Sequence, residues 1–215
     1  MTTISPELRE ALAAVDAATT SIELMSATAD LVRCHELGAV PKLLEVIGYN
    51  NPALAGLAVG GLVALGPAAS PLILEKLDPN NYGARAWAVR ALADIGDACA
   101  LEMLIQTLGQ DIGPSVRRAA AKGLGKLQLS AELSRAKMQE DQCIRALVLA
   151  QHDREWAVRY AVIVSLERRL LDPACPQSPR ATGRQALQNL ADDDQEDVKV
   201  VRLRAELALH RLTDG

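Results

Sequence analysis

Apolar residues recur along most of this chain at steps of three and four, the period of helices with one buried face. Residues 82–96 show it most clearly. At about 100° per residue, Arg85, Ala88, Leu92 and Ile95 fall on one side, while Gly83, Trp87, Arg90 and Asp94 fall on the other. Near the start, Ser5-Pro6-Glu7 predicts a helix N-terminus. Serine can cap, proline suits the first helical position, and glutamate suits the positive end of the dipole. Leu8, Leu12 and Val15 continue that helix, and a second is predicted over residues 21–37, closed by Gly38.

From there the chain is periodic. A marker residue is followed by a small or apolar residue at +3 and by leucine at +7. The sets are Ala55/Ala58/Leu62, Arg85/Ala88/Leu92, Arg117/Ala120/Leu124, Arg159/Val162/Leu166 and Arg202/Ala205/Leu209. Successive markers lie 30, 32, 42 and 43 residues apart. Shorter amphipathic stretches separate them, over residues 40–48, 69–77, 98–108, 131–152 and 182–191. Turn signals fall between, at Asn50-Asn51-Pro52, Gly66-Pro67, Asp78-Pro79-Asn80-Asn81, Gly113-Pro114 and residues 173–179. Helix pairs repeating at this length predict an all-α fold, a HEAT-like α-solenoid wound as a right-handed superhelix of helix pairs. The expected organisation is one domain over residues 1–215, with an N-terminal cap over 1–49 and about five repeats over 50–215.

Each marker arginine follows an acid by six or seven positions: Asp78, Asp111, Asp153 and Glu196. Buried charges are normally paired, so these predict ion pairs that bridge each turn and tie adjacent repeats together.

The positions of Trp87, Arg90 and Asp94 map onto the other repeats. They correspond to Leu57, Gly60 and Ala64, then to Ala119, Lys122 and Lys126 with Ser115 and Arg118 beside them. Further on they correspond to Ala161, Val164 and Arg168, flanked by Trp156 and Tyr160, and lastly to Arg204, Leu207 and Arg211. Second helices of solenoid pairs commonly line the concave side. The map predicts a groove that is apolar at one end, aromatic in the middle and basic beyond. A flat, partly apolar, anionic ligand or a complementary protein surface would suit it. Alternatively, Trp87 only covers a neighbouring helix and the charges are solvated.

Composition narrows the picture. The chain is 49% hydrophobic but 2% aromatic, with no Phe, which suits close-packed helices with thin layers between them. A net charge of −4 argues against a dedicated nucleic-acid binder. Cys34, Cys99, Cys143 and Cys175 are widely spaced and form neither a zinc pattern nor a disulfide framework. Cys99 and Cys143 read as buried spacers rather than nucleophiles. His35, His152 and His210 lie in different repeats, so no metal set is expected. No phosphate-binding loop or Ser/His/Asp set stands out. Without a secretory apolar region or a run of ~18 apolar residues, a soluble, cytoplasmic chain with no membrane span is expected.

Two segments carry a resemblance: Asn81-Tyr82-Gly83-Ala84-Arg85-Ala86-Trp87-Ala88-Val89-Arg90-Ala91-Leu92 and Trp156-Ala157-Val158-Arg159-Tyr160-Ala161. They resemble the phycobilisome lyase family of HEAT-like repeat proteins. With the length, they are similar to the F-type (beta) subunits of the heterodimeric lyases that attach phycocyanobilin to the phycocyanin alpha subunit. The resemblance covers residues 50–212. It implies an E-type partner subunit, phycocyanobilin as substrate with no separate cofactor, and a thioether formed with a cysteine of the acceptor. Related isomerising lyases carry His-Cys where this chain has Tyr82-Gly83, which implies attachment without isomerisation.

On that reading Trp87 stacks on the bilin, and Arg90, or Lys122 and Arg118, pairs with a propionate. Trp156 and Tyr160 offer a second aromatic surface for the bilin. Asp94 and Tyr82 are the catalytic candidates. Asp94 accepts from pyrrole N–H groups or transfers a proton as the thiolate adds to the vinylic side chain. Tyr82 donates or accepts at the same rim. Asp94 is equally placed to be only the i+4 ion-pair partner of Arg90. The rival expectation is a non-catalytic HEAT-repeat scaffold acting in phycobilisome assembly or degradation.

Overall fold

Ser5 caps the first helix as its position predicts: its Oγ accepts the Leu8 N–H at 3.0 Å. Helix α1 (Pro6–Ala17) follows in this computed structural model, which describes residues 4–77 and 81–214. Helix α2 (Ser21–Arg33) starts at a reciprocal cap between Thr20 and Glu23. It ends before the predicted Leu37, because His35 has a φ of 52° and leaves the helical region. A 3-10 turn, Leu37–Ala39, then leads onward.

Five further helix pairs are described: α3 (Val40–Ile47) with α4 (Pro52–Ala64), α5 (Ser70–Lys76) with α6 (Tyr82–Ile95), and α7 (Leu101–Gln110) with α8 (Pro114–Lys126). The others are α9 (Leu133–Leu149) with α10 (Trp156–Leu170), and α11 (Gln177–Ala191) with α12 (Lys199–Asp214). Helix α11 begins inside the predicted 173–179 turn. Pro179 sits in its first turn, where a missing N–H costs no helical hydrogen bond. No named strand occurs among the described residues, and the fold is the all-α, HEAT-like arrangement of stacked pairs.

The chain forms two compact units, Met1–Ile95 and Gly96–Gly215. In the first, α2, α4 and α6 pack in series, with α3 against α4, α5 and α6. In the second, α8, α10 and α12 pack in series, with α7, α9 and α11 packed in turn beside them. The +3 and +7 positions are buried as predicted at Ala58, Leu62, Ala88, Leu92, Ala120, Leu124, Val162 and Leu166.

Close approach explains the scarcity of aromatics. A Cβ on Gly61 would lie 2.6 Å from Val32 Cγ2, and one on Gly125 would lie 2.6 Å from Ser165 Cβ. Layers this thin leave no space for a ring. Leu92, wholly buried, is a main wedge of the first unit. Leu92→Ala is expected to cost about 2–5 kcal/mol, seen as a lower urea midpoint with an unchanged slope.

The ion pairs run in a different register from the expected one. In its own turn Arg117 meets the backbone, its Nη1 donating to the Asp111 carbonyl at 2.9 Å. Its Nε and Nη2 reach forward to the Asp153 carboxylate at 2.7 and 2.8 Å. Arg159 repeats this, with Nη1 on the Asp153 carbonyl at 2.8 Å and Nε and Nη2 on Glu196 at 2.5 and 2.6 Å. Arg202 Nη1 donates to the Glu196 carbonyl at 2.6 Å. Asp111, Asp153 and Glu196 each also accept the N–H two residues on, from Gly113, Glu155 and Val198, which fixes these acids in their turns. Arg117 and Arg159 thus bind the backbone of their own turn and the carboxylate of the next. Asp78, the acid expected for Arg85, lies outside the described residues.

Candidate functional site

Helix α6 is started by Asn81, whose Oδ1 accepts the Ala84 N–H at 3.0 Å and whose carbonyl accepts the Arg85 N–H at 2.9 Å. With Ala88, Leu92 and Ile95 buried, the opposite stripe is set outward. Trp87 is half-buried, and Gly83, Arg90 and Asp94 are exposed. Arg90 Cζ lies 5.5 Å from the Trp87 ring centroid, a cation–π contact between neighbours three positions apart. The stripe thus carries an indole, a guanidinium parked beside it, and a carboxylate one turn on.

Tyr82 is exposed but is not part of that stripe. It lies roughly 140° around the helix from Trp87, and its ring sits under Arg85, with Cζ 5.3 Å from the centroid.

In the second unit, Arg118 and Lys122 are exposed on α8. Trp156, the first residue of α10, is 47% exposed, and Tyr160 one turn later is half-buried. Ala161, mapped to the outer face, is instead buried, because α10 is flanked by α8 and α12 and this small residue closes against them. Further along, Val164 on α10 and Val200, Leu203 and Leu207 on α12 are exposed. The mapping named Val164 and Leu207 but missed Val200 and Leu203. Their signal was a second 3–4 apolar spacing on α12, opposite the buried Val201, Ala205 and Ala208.

No cysteine among the buried pair is set up as a nucleophile. Burial pushes the Cys143 and Cys175 thiols up to about 11, so both stay protonated near neutral pH. Burial, then the nearby Glu36, Glu7 and Asp30 carboxylates, also raise Cys34. Cys99 is exposed, contrary to the expectation of a buried spacer. It sits on the short Ala98–Ala100 turn, where Asp97 accepts its N–H at 2.7 Å. Among the described residues, the one group of three ligand-type side chains close enough to share an ion is Asp192, Asp193 and Asp194, on a surface loop. No single helix among the described residues is long and apolar enough to cross a membrane.

Stacked helix pairs with an arginine ladder through their turns define a HEAT-repeat protein, and the family model for HEAT repeats matches residues 70–139. The chain is 45% identical over 217 residues to the bilin biosynthesis protein RpcF of Synechococcus sp. (strain WH8020), covering 100% of both chains. It is 42% identical to the phycocyanobilin lyase subunit beta of Thermosynechococcus vestitus, covering 92% of each. A chain in the solved complex of CpcE and CpcF of phycocyanin lyase from Nostoc sp. PCC7120 matches with a TM-score of 0.70 and 40% identity, covering 80% of this chain and 99% of that one. A designed armadillo repeat protein, 18% identical with a TM-score of 0.57, shares the fold alone. The chain belongs to the family of bilin lyase beta (F-type) subunits.

Proposed function

We propose that this chain is the F-type subunit of a heterodimeric lyase that attaches phycocyanobilin to a cysteine of the phycocyanin alpha subunit, with an E-type subunit as obligate partner. The observation that carries the site is the outward Trp87–Arg90 pair with Asp94 on the same stripe, in a chain of this family. A bilin is flat and extended, with two propionates and a row of pyrrole nitrogens. Trp87 offers it a stacking face, and Arg90, already positioned beside that ring, takes a propionate. Arg118 and Lys122, with Trp156 and Tyr160, are the second-unit groups proposed to contact bilin. The bilin is substrate, and no resident cofactor is invoked.

The chemistry is an addition. The acceptor thiolate forms a C–S bond at the exocyclic double bond, the π pair shifts to the neighbouring carbon, and that carbon takes a proton. Asp94 holds pyrrole N–H groups or moves that proton. Tyr82, exposed at the start of α6 but off the stripe, is proposed as a donor to the bilin's edge. With Tyr82-Gly83 opening α6 in place of His-Cys, no double-bond isomerisation beyond this addition is expected.

The test is co-expression with the phycocyanin alpha subunit, phycocyanobilin and the E-type subunit. Covalent chromophore should depend on this chain; equal yield without it would favour a scaffold in phycobilisome assembly. Trp87→Ala and Asp94→Asn should each lower attachment by about tenfold, equivalent to about 1.4 kcal/mol, with helix content unchanged. Full activity in both variants would remove α6 from the site.

A further inference from the structure

We infer that the exposed face of α10 and α12 is the docking surface for the E-type subunit, and that it takes an aliphatic patch bordered by carboxylates. The inference rests on the heterodimer reading above. Val164, Val200, Leu203 and Leu207 stand in water on two helices that pack side by side. Single exposed apolar residues are ordinary, but a cluster bordered by charge marks an interaction surface. This is not a core face left open. The core side of α12 is Val201, Ala205 and Ala208. Its flank carries the exposed Glu206 where the corresponding Val89, Ala121 and Ile163 are buried.

Charge defines the occupant further. Arg168 and Arg211 are exposed at equivalent positions of α10 and α12. Arg204 and Arg211 share the one Glu167 carboxylate, with Arg211 Nη1 at 3.1 Å and Arg204 Nη2 on the other oxygen. Arg204 Nη1 is buried without a hydrogen-bond partner. Two guanidiniums share one carboxylate and Arg168 is exposed on α10, so the complementary surface is acidic. Branched aliphatic side chains suit another protein's aliphatic residues better than a conjugated tetrapyrrole, for which Trp87, Trp156 and Tyr160 are the proposed aromatic faces. A stable interface with an apolar centre also suits a permanent partner. The acceptor, in contrast, must leave after each turnover. A relative 40% identical to this chain is found in such a complex with CpcE.

The experiment measures heterodimer affinity with the co-purified E-type subunit. The Leu203→Asp/Leu207→Asp double variant should weaken it about 30-fold or more. Arg168→Glu should weaken it about tenfold and flatten its salt dependence. Leu149→Asp, at a 78% exposed position on α9, should leave it unchanged. Circular dichroism and melting of each chain alone check that these surface changes fold. Unchanged affinity in both test variants, or an equal loss in Leu149→Asp, overturns the assignment. So does a loss confined to acceptor binding or to self-association of this chain. A wild-type heterodimer that forms but attaches no bilin would sink the lyase reading and leave the docking surface intact.

Discussion

Replacing Arg169 with methionine is expected to destabilise the Gly96–Gly215 unit by about 3–5 kcal/mol. The arginine is buried and closes the end of α8. Its Nε and Nη2 donate to the Leu124 carbonyl at 2.9 and 2.7 Å, and Nη2 also donates to the Leu127 carbonyl at 2.8 Å. The Gln128 N–H, which would otherwise continue the helix onto Leu124, donates to the Gly96 carbonyl at 2.8 Å. Without Arg169, buried carbonyls at the helix end lose donors, and each such loss is costly.

The same change strands Glu140, whose Oε2 accepts from Arg169 Nη1 at 3.1 Å and whose Oε1 is buried without a partner. Burial already pushes this carboxyl up, with Arg169 opposing. Removing the guanidinium pushes it further. A carboxyl raised above its unfolded value favours the folded state below the unfolded pKa and loses that benefit as pH rises through the folded one. The deficit of Arg169→Met should therefore be larger at pH 8 than at pH 5 in urea unfolding. Adding Glu140→Gln should remove the pH-dependent part and leave the part due to the carbonyls. A deficit independent of pH would show that no carboxylate had been left uncompensated.

The helix pairs were legible because each buries a stripe at helical spacing, and that spacing is written in residues such as Ala88, Leu92, Ala120 and Leu124. Their ends were legible where a short polar residue meets a proline, as at Ser5-Pro6 and Asn51-Pro52. The end of α2 was not, since His35 occupies a left-handed conformation that residue type alone rarely signals. The arginine ladder was half legible. An acid before each arginine predicted pairing, but Asp153 and Glu196 take the arginine of the preceding repeat, a register that spacing within one turn does not carry. The outward stripe of α6 followed from periodicity, yet the parking of Arg90 over Trp87 is a rotamer choice that spacing does not decide. Arg169 was missed because its partners, Leu124, Leu127 and Glu140, lie between 29 and 45 residues away, and two of them act through backbone carbonyls.

The ladder yields a prediction of comparable size: Arg159→Met should cost about 3–5 kcal/mol near neutral pH, and the cost should shrink on acidification. Glu196 is 2% exposed and both of its oxygens accept from Arg159. Burial alone would raise its carboxyl, but the Arg159 hydrogen bonds and the Val198 N–H hold it below the usual carboxylate range. A depressed pKa contributes stability above the unfolded value, about 4.3, and that contribution is lost as pH falls through the folded value. In Arg159→Met the sign inverts: Glu196 is buried without its cation, its pKa rises, and acid relieves it. Parent and variant should therefore converge between pH 7 and about 4. Arg117→Met should behave likewise, because Asp153 is held low by the same balance, burial opposed by Arg117 and the Glu155 N–H. The two arginines meet at Asp153, one on its carboxylate and one on its carbonyl. Their double variant should lose less than the sum of the single losses, since the turn before α10 is released once rather than twice. Strict additivity would mean that the rungs act independently and that the ladder does not couple one repeat to the next.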